Sequence, residues 1–568
     1  MKHLQIHWLS FVNHHSLRNT AKRFPNLNLF LSIALCLCVY TPTIAQTNLS
    51  SSNLPLVLID TDEQEIEDET RIIAEMQIIY NGIGLLTSIG DSANVYDGRI
   101  SIETRGSSSQ FYPKKSFGLE TQLPNGENNN VSLLGMPKEN DWILYAPFSD
   151  KSLLRNVLAY QIANDMGRYA ARTQFCELFI NGNYEGVYVL MEKLKRDKNR
   201  IDIANLSTDE IAGDDLTGGY IIKIDKLTGS GGSGWTSEYP PSYNLFREIL
   251  FQYEYPESEG ITDEQAAYIE GFVRDFEDYL QREDFEVSDD NPYFDVDSFI
   301  DYMIVNEVCK NIDAFRLSTF LYKDKDSNGG KLQIGPVWDF NFSLGNVNYC
   351  LGGLSTGWVL DFNQICTNDS YLIPFWWEKL RQSNVFNERV YERWQELRST
   401  VLETNQLLLW IEEQSLYLEE AQTRNFAKWD ILNIEVWPNN YVGGNYLSEV
   451  VYLKNWLRAR LTWLDTAFKE LTLPKQEDIL GFEAVKITPN PFNQFPQWTY
   501  RAVKGDFIEV ILFDMMGKSI GKWAIECEQT GQNTLSLEEV NPHLSKGLYH
   551  YRFDINGREV KREVILKY

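Results

Sequence analysis

Residues 311–346 read NIDAFRLSTFLYKDKDSNGGKLQIGPVWDFNFSLGN, with an aspartate near each end of a predicted β-hairpin. Asp313 follows the helical pattern FIDYMIVNEVCK, and Asp339 ends the apolar strand KLQIGPVW, 26 positions further on. Because a hairpin returns the chain to its start, we expect both carboxylates at the same end of the hairpin. An aspartate just past a helix can also serve only to end that helix, so Asp313 has a purely structural alternative.

The distribution of histidine narrows the chemistry open to this pair. All 6 histidines lie outside residues 46–542, which argues against Ser-His-Asp and Cys-His hydrolysis and against histidine-ligated zinc in the main part of the chain. The catalytic chemistry that remains open to this part of the chain uses carboxylates together with a hard divalent cation. Phosphoryl transfer needs one carboxylate to accept a hydroxyl proton and another to hold the metal. A glycosidase with paired carboxylates also survives, without a specific motif in its favour.

A basic, serine-rich turn is the second candidate feature. Arg105-Gly-Ser-Ser-Ser is followed by Lys114-Lys115-Ser-Phe at the start of a predicted strand. Backbone amides and hydroxyls in such a turn can approach phosphate oxygens, and the cations can neutralise them. A plain turn with a solvated lysine pair explains the same residues. Residues 229–234 (GSGGSG) lack a Walker lysine and favour a flexible loop, and the calcium-like sequence from Asp324 favours a hairpin turn, because Gly335 stands where a bidentate Glu belongs.

The hydrophobic pattern predicts an α+β chain with more than one domain. A hairpin joins CELFI to GVYVLMEKL through Asn181-Gly182-Asn183. Further strands are predicted at 54–59, 74–80, 99–105, 115–121, 141–146 and 219–225. Helices are predicted from near Lys151, at 262–281 and at 296–310, and the Trp- and Leu-rich residues 370–470 are predicted to be helical, with aromatic stripes typical of a core.

The two ends of the chain differ from its centre. Residues 1–45 combine a basic lead-in, a short apolar run and Thr-Ile-Ala, which predicts a signal peptide cleaved before Gln46. No later stretch approaches the roughly 20 apolar residues that a spanning helix needs. Residues 484–568 alternate as strands do and predict a small all-β sandwich behind a linker at 471–483.

Charge and cysteine content bound the partners. The net charge of −28 opposes unaided binding to nucleic acid or anionic lipid, so an anionic ligand must be held by a local basic cluster or a metal. Cys350 and Cys366 can close a loop in an oxidising compartment or stay buried free thiols, and the sequence leaves both open.

Two resemblances follow from these motifs. Residues 55–470 resemble the CotH (spore coat protein H) kinase family through RGSSS…KKSF, DKSLLRN, NGNYEGVYVLMEK, NIDAFRLSTFLYKDKD and GPVWDFNFSLGN. Residues 484–568 resemble the C-terminal sorting domains of the type IX secretion system through ITPNPF, DMMGK, KGLYHYRF and KREVILKY. A generic fibronectin-like domain is the alternative for this second segment.

The first resemblance implies an atypical protein-kinase-like fold with a helical C-terminal part. It implies Asp313 as catalytic base, Asp339 as the Mg²⁺ or Mn²⁺ ligand, Lys115 and Arg105 as contacts to the ATP phosphates, and Glu192 as the residue that orients the lysine. The expected activity is transfer of the ATP γ-phosphate to Ser or Thr of surface or secreted proteins. The second resemblance implies export through the type IX machinery to the cell surface or medium.

Two departures keep an alternative open. Asn-Ile-Asp stands where kinases have His-Arg-Asp, and Ser318 stands where they place a metal-binding Asn. A hydroxyl is a poorer cation ligand than an amide carbonyl, which puts a second metal in doubt. The alternative is a catalytically inactive, kinase-like surface protein with a binding or structural role.

Overall fold

The structure is a computed structural model, and it describes residues 49–227, 233–244, 246–473, 485–502, 504–515, 517–528, 531–556 and 558–568. The predicted signal peptide lies outside these ranges, as do residues 229–232 of the predicted glycine-rich loop and most of the predicted linker. The linker boundary and the cleavage site therefore stay predictions.

The first half of the chain is built from two main sheets. Its strands are β1 Ser51–Ser52, β2 Leu56–Asp60, β3 Ile72–Ile79, β4 Thr87–Ser88, β5 Tyr96–Arg105, β6 Ser116–Thr121, β7 Asp141–Tyr145, β8 Thr173–Ile180, β9 Asn183–Glu192, β10 Tyr220–Ile224, β11 Gly234–Thr236, β12 Leu250–Tyr255, β13 Thr319–Lys323 and β14 Leu332–Ile334. Seven of them close a barrel in the order β2-β3-β5-β6-β7-β9-β8, and a second sheet has the order β11-β12-β10-β13-β14. The barrel closes through the parallel pair β2 and β8, and its interior holds apolar side chains such as Ile100, Trp142 and Leu190.

Helices between residues 155 and 471 pack against both main sheets. They are α1 Arg155–Asp165, α2 Gly213–Leu216, α3 Asp263–Leu280, α4 Val296–Cys309, α5 Phe362–Ile365, α6 Trp376–Leu380, α7 Asn384–Arg398, α8 Thr404–Tyr417, α9 Glu419–Lys428 and α10 Tyr446–Leu471. Trp376, Trp394 and Trp456 are buried, so these aromatic side chains belong to the core, as predicted. The mixed α/β composition is confirmed.

The hairpin of β8 and β9 forms where the sequence predicts it. Asn181 and Gly182 both have positive φ, 48° and 74°, which suits a tight two-residue turn. The predicted start of the first helix is wrong: α1 begins at Arg155, not near Lys151. The Asp150 carboxylate accepts hydrogen bonds from the backbone amides of Ser152 and Arg155, at 3.0 and 2.8 Å, and this local turn delays the helix.

The C-terminal segment contains two antiparallel sheets. Its elements are β15 Val485–Thr488, β16 Gln497–Ala502, β17 Phe507–Asp514, β18 Ser519–Glu526, β19 Gly531–Ser536, α11 Leu537–Val540, β20 Gly547–Ile555 and β21 Arg558–Lys567. The sheet orders are β15-β16-β19 and β18-β17-β20-β21, and Trp498, Tyr551 and Phe553 form the core. Within the described residues, no helix combines the length and the apolar character needed to cross a membrane.

The structure also settles the state of two cysteines that the sequence leaves open. Cys350 and Cys366 form a disulfide with their Cα atoms 5.9 Å apart. Cys176, Cys309 and Cys527 are buried thiols.

Candidate active site

A cavity of about 690 Å³ lies where the barrel meets the second sheet. We call it the aspartate cavity, because Asp225, Asp313 and Asp339 all line it. The serine turn after β5 (residues 106–109) contributes a further part of the wall. The fold therefore brings these three aspartates and the serine turn, from four separate segments of the chain, to one cavity.

The local structure around Asp313 follows from the end of α4. This helix ends at Cys309, and the next residue, Lys310, has a left-handed backbone with φ 45°, so the chain turns sharply before Asp313. The Ile312 amide then donates to the Phe342 carbonyl at 3.2 Å, and Leu344 donates back to Cys309 at 2.6 Å. These bonds hold the two ends of the predicted hairpin together, and both carboxylates line the same cavity.

Asp339 has a left-handed backbone, with φ 60°, which is uncommon for a residue other than glycine. Two hydrogen bonds hold the backbone here. The Asp339 amide donates to the Tyr160 hydroxyl at 3.2 Å, and the Phe340 amide donates to Asn156 Oδ1 at 2.9 Å. Both partners belong to α1. Such unfavourable backbone positions cluster at functional sites, where surrounding contacts enforce them.

The electrostatics of the three aspartates are coupled. Burial, together with repulsion from Asp313 and Asp225, raises the pKa of Asp339 to about 7 against the opposing effect of Arg105 and Lys226. Burial also raises the pKa values of Asp313 and Asp225 above their ordinary value. The cavity therefore holds carboxylates whose ionisation is unfavourable until a cation accompanies them.

Asp225 is a site residue that the sequence analysis missed. It directly follows the apolar strand β10, the position in which Asp339 was predicted to follow a strand, so the same pattern was available to identify it. The predicted strand before Asp339 is shorter than expected, because β14 ends at Ile334. The Lys226 amide donates to Asp225 Oδ1 at 2.8 Å, and the hydroxyl of Ser318 lies 3.5 Å from Oδ2. Ser318 thus faces this third carboxylate.

Three cations line the cavity without a carboxylate partner. The side chains of Arg105, Lys193 and Lys226 form no salt bridge or hydrogen bond with another residue in the described ranges, and Arg105 lies over the Trp338 ring at 5.8 Å. Lys223 also lines the cavity but pairs with Glu254 at 2.7 Å. These three cations can contact the oxygens of an anionic ligand, in a cavity that carboxylates otherwise dominate.

Lys115 and Glu192, by contrast, do not line the aspartate cavity. Lys115 donates from its ammonium group to the Gln110 carbonyl. Its neighbour Ser116, the first residue of β6, lines the cavity. Glu192 is fully buried and binds Arg172 at 3.0 Å.

The residues present fit a divalent cation of the Mg²⁺ type. Among the described residues, no three His, Cys, Asp or Glu side chains are close enough to hold a metal by themselves. Mg²⁺ in phosphotransfer sites uses only one or two carboxylates, with water and phosphate oxygens completing its shell. Asn341 lines the aspartate cavity, and its buried Oδ1 has no hydrogen-bond partner within the described ranges. Asp339 and Asn341 together offer the hard oxygen ligands that such an ion prefers.

A mixed α/β domain whose cavity gathers coupled carboxylates and unpaired cations is typical of proteins that bind a phosphorylated ligand together with a divalent cation. The family comparison agrees: residues 102–464 match the family described as CotH kinase protein. This match covers more than half of the chain, which therefore belongs to the CotH kinase family.

The other comparisons add little. No curated protein matches the chain. One matching solved structure is the Pseudomonas fluorescens alkylpurine DNA glycosylase AlkC bound to DNA containing an abasic site analog, at 10% identity and a TM-score of 0.10, covering 34% of this chain. The match spans 50% of that glycosylase chain. A likeness this weak carries no argument about fold or function.

Proposed function

We propose that the protein is an exported, ATP- and metal-dependent kinase that transfers the γ-phosphate to Ser or Thr hydroxyls of surface or secreted proteins. One observation carries the proposal: Asp313 and Asp339 share a cavity with the unpaired cations Arg105, Lys193 and Lys226. The carboxylates supply the chemistry, and the cations supply binding energy for phosphate oxygens.

Each residue has a distinct task in this proposal. Asp313 accepts the proton of the attacking hydroxyl, and Asp339 with Asn341 holds Mg²⁺ or Mn²⁺. When bound, the ion neutralises charge on the transferred phosphoryl group. Arg105 and Lys226, whose charges act on Asp339, stabilise the phosphate oxygens of ATP. Because these groups are fixed before the substrate arrives, they need little reorganisation during the reaction.

The family supports a kinase-like protein, and in this proposal the nucleotide lies between the barrel and the second sheet, whose residues line the aspartate cavity. The location proposed for the protein rests on the leader and on the C-terminal sheets. We propose that residues 1–45 direct passage across the inner membrane and that residues 484–568 direct passage across the outer membrane through the type IX machinery.

The first test measures phosphate transfer from labelled ATP with Mn²⁺ by the mature chain. We expect Asp313→Asn to lower the rate about 10²- to 10⁴-fold, the usual contribution of a general base. Asp339→Asn should abolish transfer and metal-dependent thermal stabilisation together. Asp202→Asn is a matched control, because this exposed carboxylate does not line the aspartate cavity. Unchanged label uptake in the Asp313 and Asp339 variants would refute the assignment.

One observation favours the inactive alternative. Arg316 pairs with Asp313 at 2.8 Å, and this ion pair opposes the increase that burial causes in the pKa of Asp313, which makes the carboxylate a weaker base than burial alone would. An inactive member would still bind nucleotide, so ATP and Mn²⁺ would raise its melting temperature without any transfer of label.

A further inference from the structure

Arg316 is the direct neighbour of the proposed base. Its side chain is 3% exposed, and its Nη2 donates to Asp313 Oδ1 at 2.8 Å. The Nε atom donates to the Ile312 carbonyl at 3.0 Å. The planar guanidinium therefore binds the backbone and the carboxylate of the same turn, which restricts the direction in which that carboxylate points.

The rest of the guanidinium is held by residues 362–371. Its Nη1 donates to Asp369 Oδ1 at 3.4 Å and to the Tyr371 carbonyl at 3.3 Å. Its flat face lies over the Phe362 ring at 4.1 Å. The position of Arg316 thus depends on a segment that lies about fifty residues away along the chain.

The disulfide between Cys350 and Cys366 fixes that segment. The Cys366 carbonyl accepts the amide hydrogen of Asp369 at 3.0 Å, so the bridged residue and the partner of Arg316 share one turn. At the other end, Cys350 and Leu351 both have left-handed backbones, with φ 48° and 57°. Residues other than glycine disfavour this conformation, so we expect the turn to relax to a more favourable backbone once the disulfide is reduced.

We propose that Arg316 is a positioning residue for Asp313 and that the Cys350–Cys366 disulfide keeps it in position, so the site is complete only in the oxidised protein. The catalytic consequence rests on the proposed function, whereas the ordering of residues 311–318 does not. On the proposed export route, Asp313 therefore becomes ordered in a compartment where disulfides form.

The reducing step is a two-electron exchange. A dithiol such as dithiothreitol attacks one sulfur, the S–S bond between Cys350 and Cys366 breaks, and both sulfurs end as thiols. The reagent supplies the two electrons and two protons and closes into its own cyclic disulfide. Cys176, Cys309 and Cys527 are already thiols, so the Cys350–Cys366 bond is the change that reduction makes in the described residues.

Hydrogen exchange read by mass spectrometry tests the ordering directly. We expect amides of residues 311–318 to exchange at least about fivefold faster in the reduced mature chain than in the oxidised one, because opening of this turn becomes easier. Residues 183–192 in the barrel serve as the internal reference and should not change. The double variant Cys350→Ser/Cys366→Ser should resemble the reduced protein. If that variant does not fold, dithiol treatment of the folded wild type still decides, and equal exchange rates would overturn the proposal.

Arg316 itself is tested by separating kcat from KM. Arg316→Met should lower kcat about tenfold to a hundredfold and leave KM for ATP unchanged, because Arg316 orients the base and does not line the cavity. Arg316→Lys should recover part of kcat. Arg393→Met removes a comparable pairing with Asp301 outside the cavity and should change neither constant. A raised KM for ATP in Arg316→Met would contradict a positioning role. If the wild type transfers no phosphate, the proposed function fails, and the exchange experiment still decides the ordering.

Discussion

The ion pair between Glu307 and Arg460 offers a sharp test of how the helical part supports the aspartate cavity. Both side chains have no exposed surface, and Arg460 Nη2 lies 2.8 Å from Glu307 Oε2. The same guanidinium donates to the carbonyls of Ser355 and Gly357, at 3.2 and 2.8 Å. One side chain of α10 therefore links α4, which leads to Asp313, with the segment after the disulfide-bonded Cys350.

The perturbation is Arg460→Met, which keeps the volume and removes the charge. Glu307 then stays buried with hydrogen bonds from the amides of Val359 and Leu360 but without its cation. Burial already raises the pKa of Glu307, and Arg460 is the largest influence that lowers it. Removing one partner of such a buried pair costs about 3–5 kcal/mol of unfolding free energy.

Urea unfolding of the mature chain at pH 7, followed by tryptophan fluorescence, measures this free energy. Lys454→Met is the matched control on the same helix, because Lys454 and Glu412 form an exposed pair at 3.0 Å and should contribute less than about 1 kcal/mol. The double variant Arg460→Met/Glu307→Gln should regain about 2 kcal/mol relative to the sum of the single changes. Equal losses for Arg460→Met and Lys454→Met, or strict additivity in the double variant, would refute the reasoning.

Two further predictions concern charge. Burial raises the pKa of Glu277 from its ordinary 4.5 to about 7, so the cost of burying its carboxyl grows as the pH rises between these values, is complete above about 7, and is absent where both folded and unfolded states are protonated. Glu277→Gln should therefore stabilise the protein at pH 8 by up to about 3 kcal/mol and give no gain at pH 4, as urea unfolding at both values will measure; an equal gain at both would contradict it. Lys226→Met should weaken binding of ATP with Mn²⁺ about tenfold in a thermal-shift titration, because one unpaired cation of the cavity is lost. Lys331→Met, outside the cavity, should leave binding unchanged, and equal affinities in the two variants would count against the phosphate site.

The sequence pattern predicted the part of this site in which a single hairpin brings two residues together. The hairpin between Asp313 and Asp339 could be foreseen, because a turn sequence flanked by apolar strands returns the chain to its start. Asp225 was missed although it also follows an apolar strand, since nothing in one sequence shows that β10 pairs with β13 beside it. The family resemblance assigned Lys115 to the phosphates, whereas the residue that lines the cavity is its neighbour Ser116.

The strand order of the barrel and the choice of cations in the cavity depend on contacts between distant segments, which the sequence pattern did not predict. The barrel order β2-β3-β5-β6-β7-β9-β8 ends with a parallel pair, and no local signal identifies the partner of β2. The cations Lys193 and Lys226 come from separate segments and stand among many other lysines in the sequence. Their importance follows only from having no carboxylate beside them within the described ranges.

The charge of the cavity itself argues for a metal–nucleotide complex as its ligand. More carboxylates than cations line the cavity, so it has no excess of positive charge to offer a free polyanion. The chain as a whole carries −28, and this field repels an unaccompanied nucleotide. A divalent cation brings two positive charges, relieves the repulsion among the aspartates and leaves the lysines and Arg105 for phosphate oxygens. Nucleotide and metal should therefore bind cooperatively, each strengthening the other by the same factor, and thermal-shift titrations of ATP at several Mn²⁺ concentrations will measure that factor. An ATP affinity independent of Mn²⁺ would show that the aspartates do not face the nucleotide.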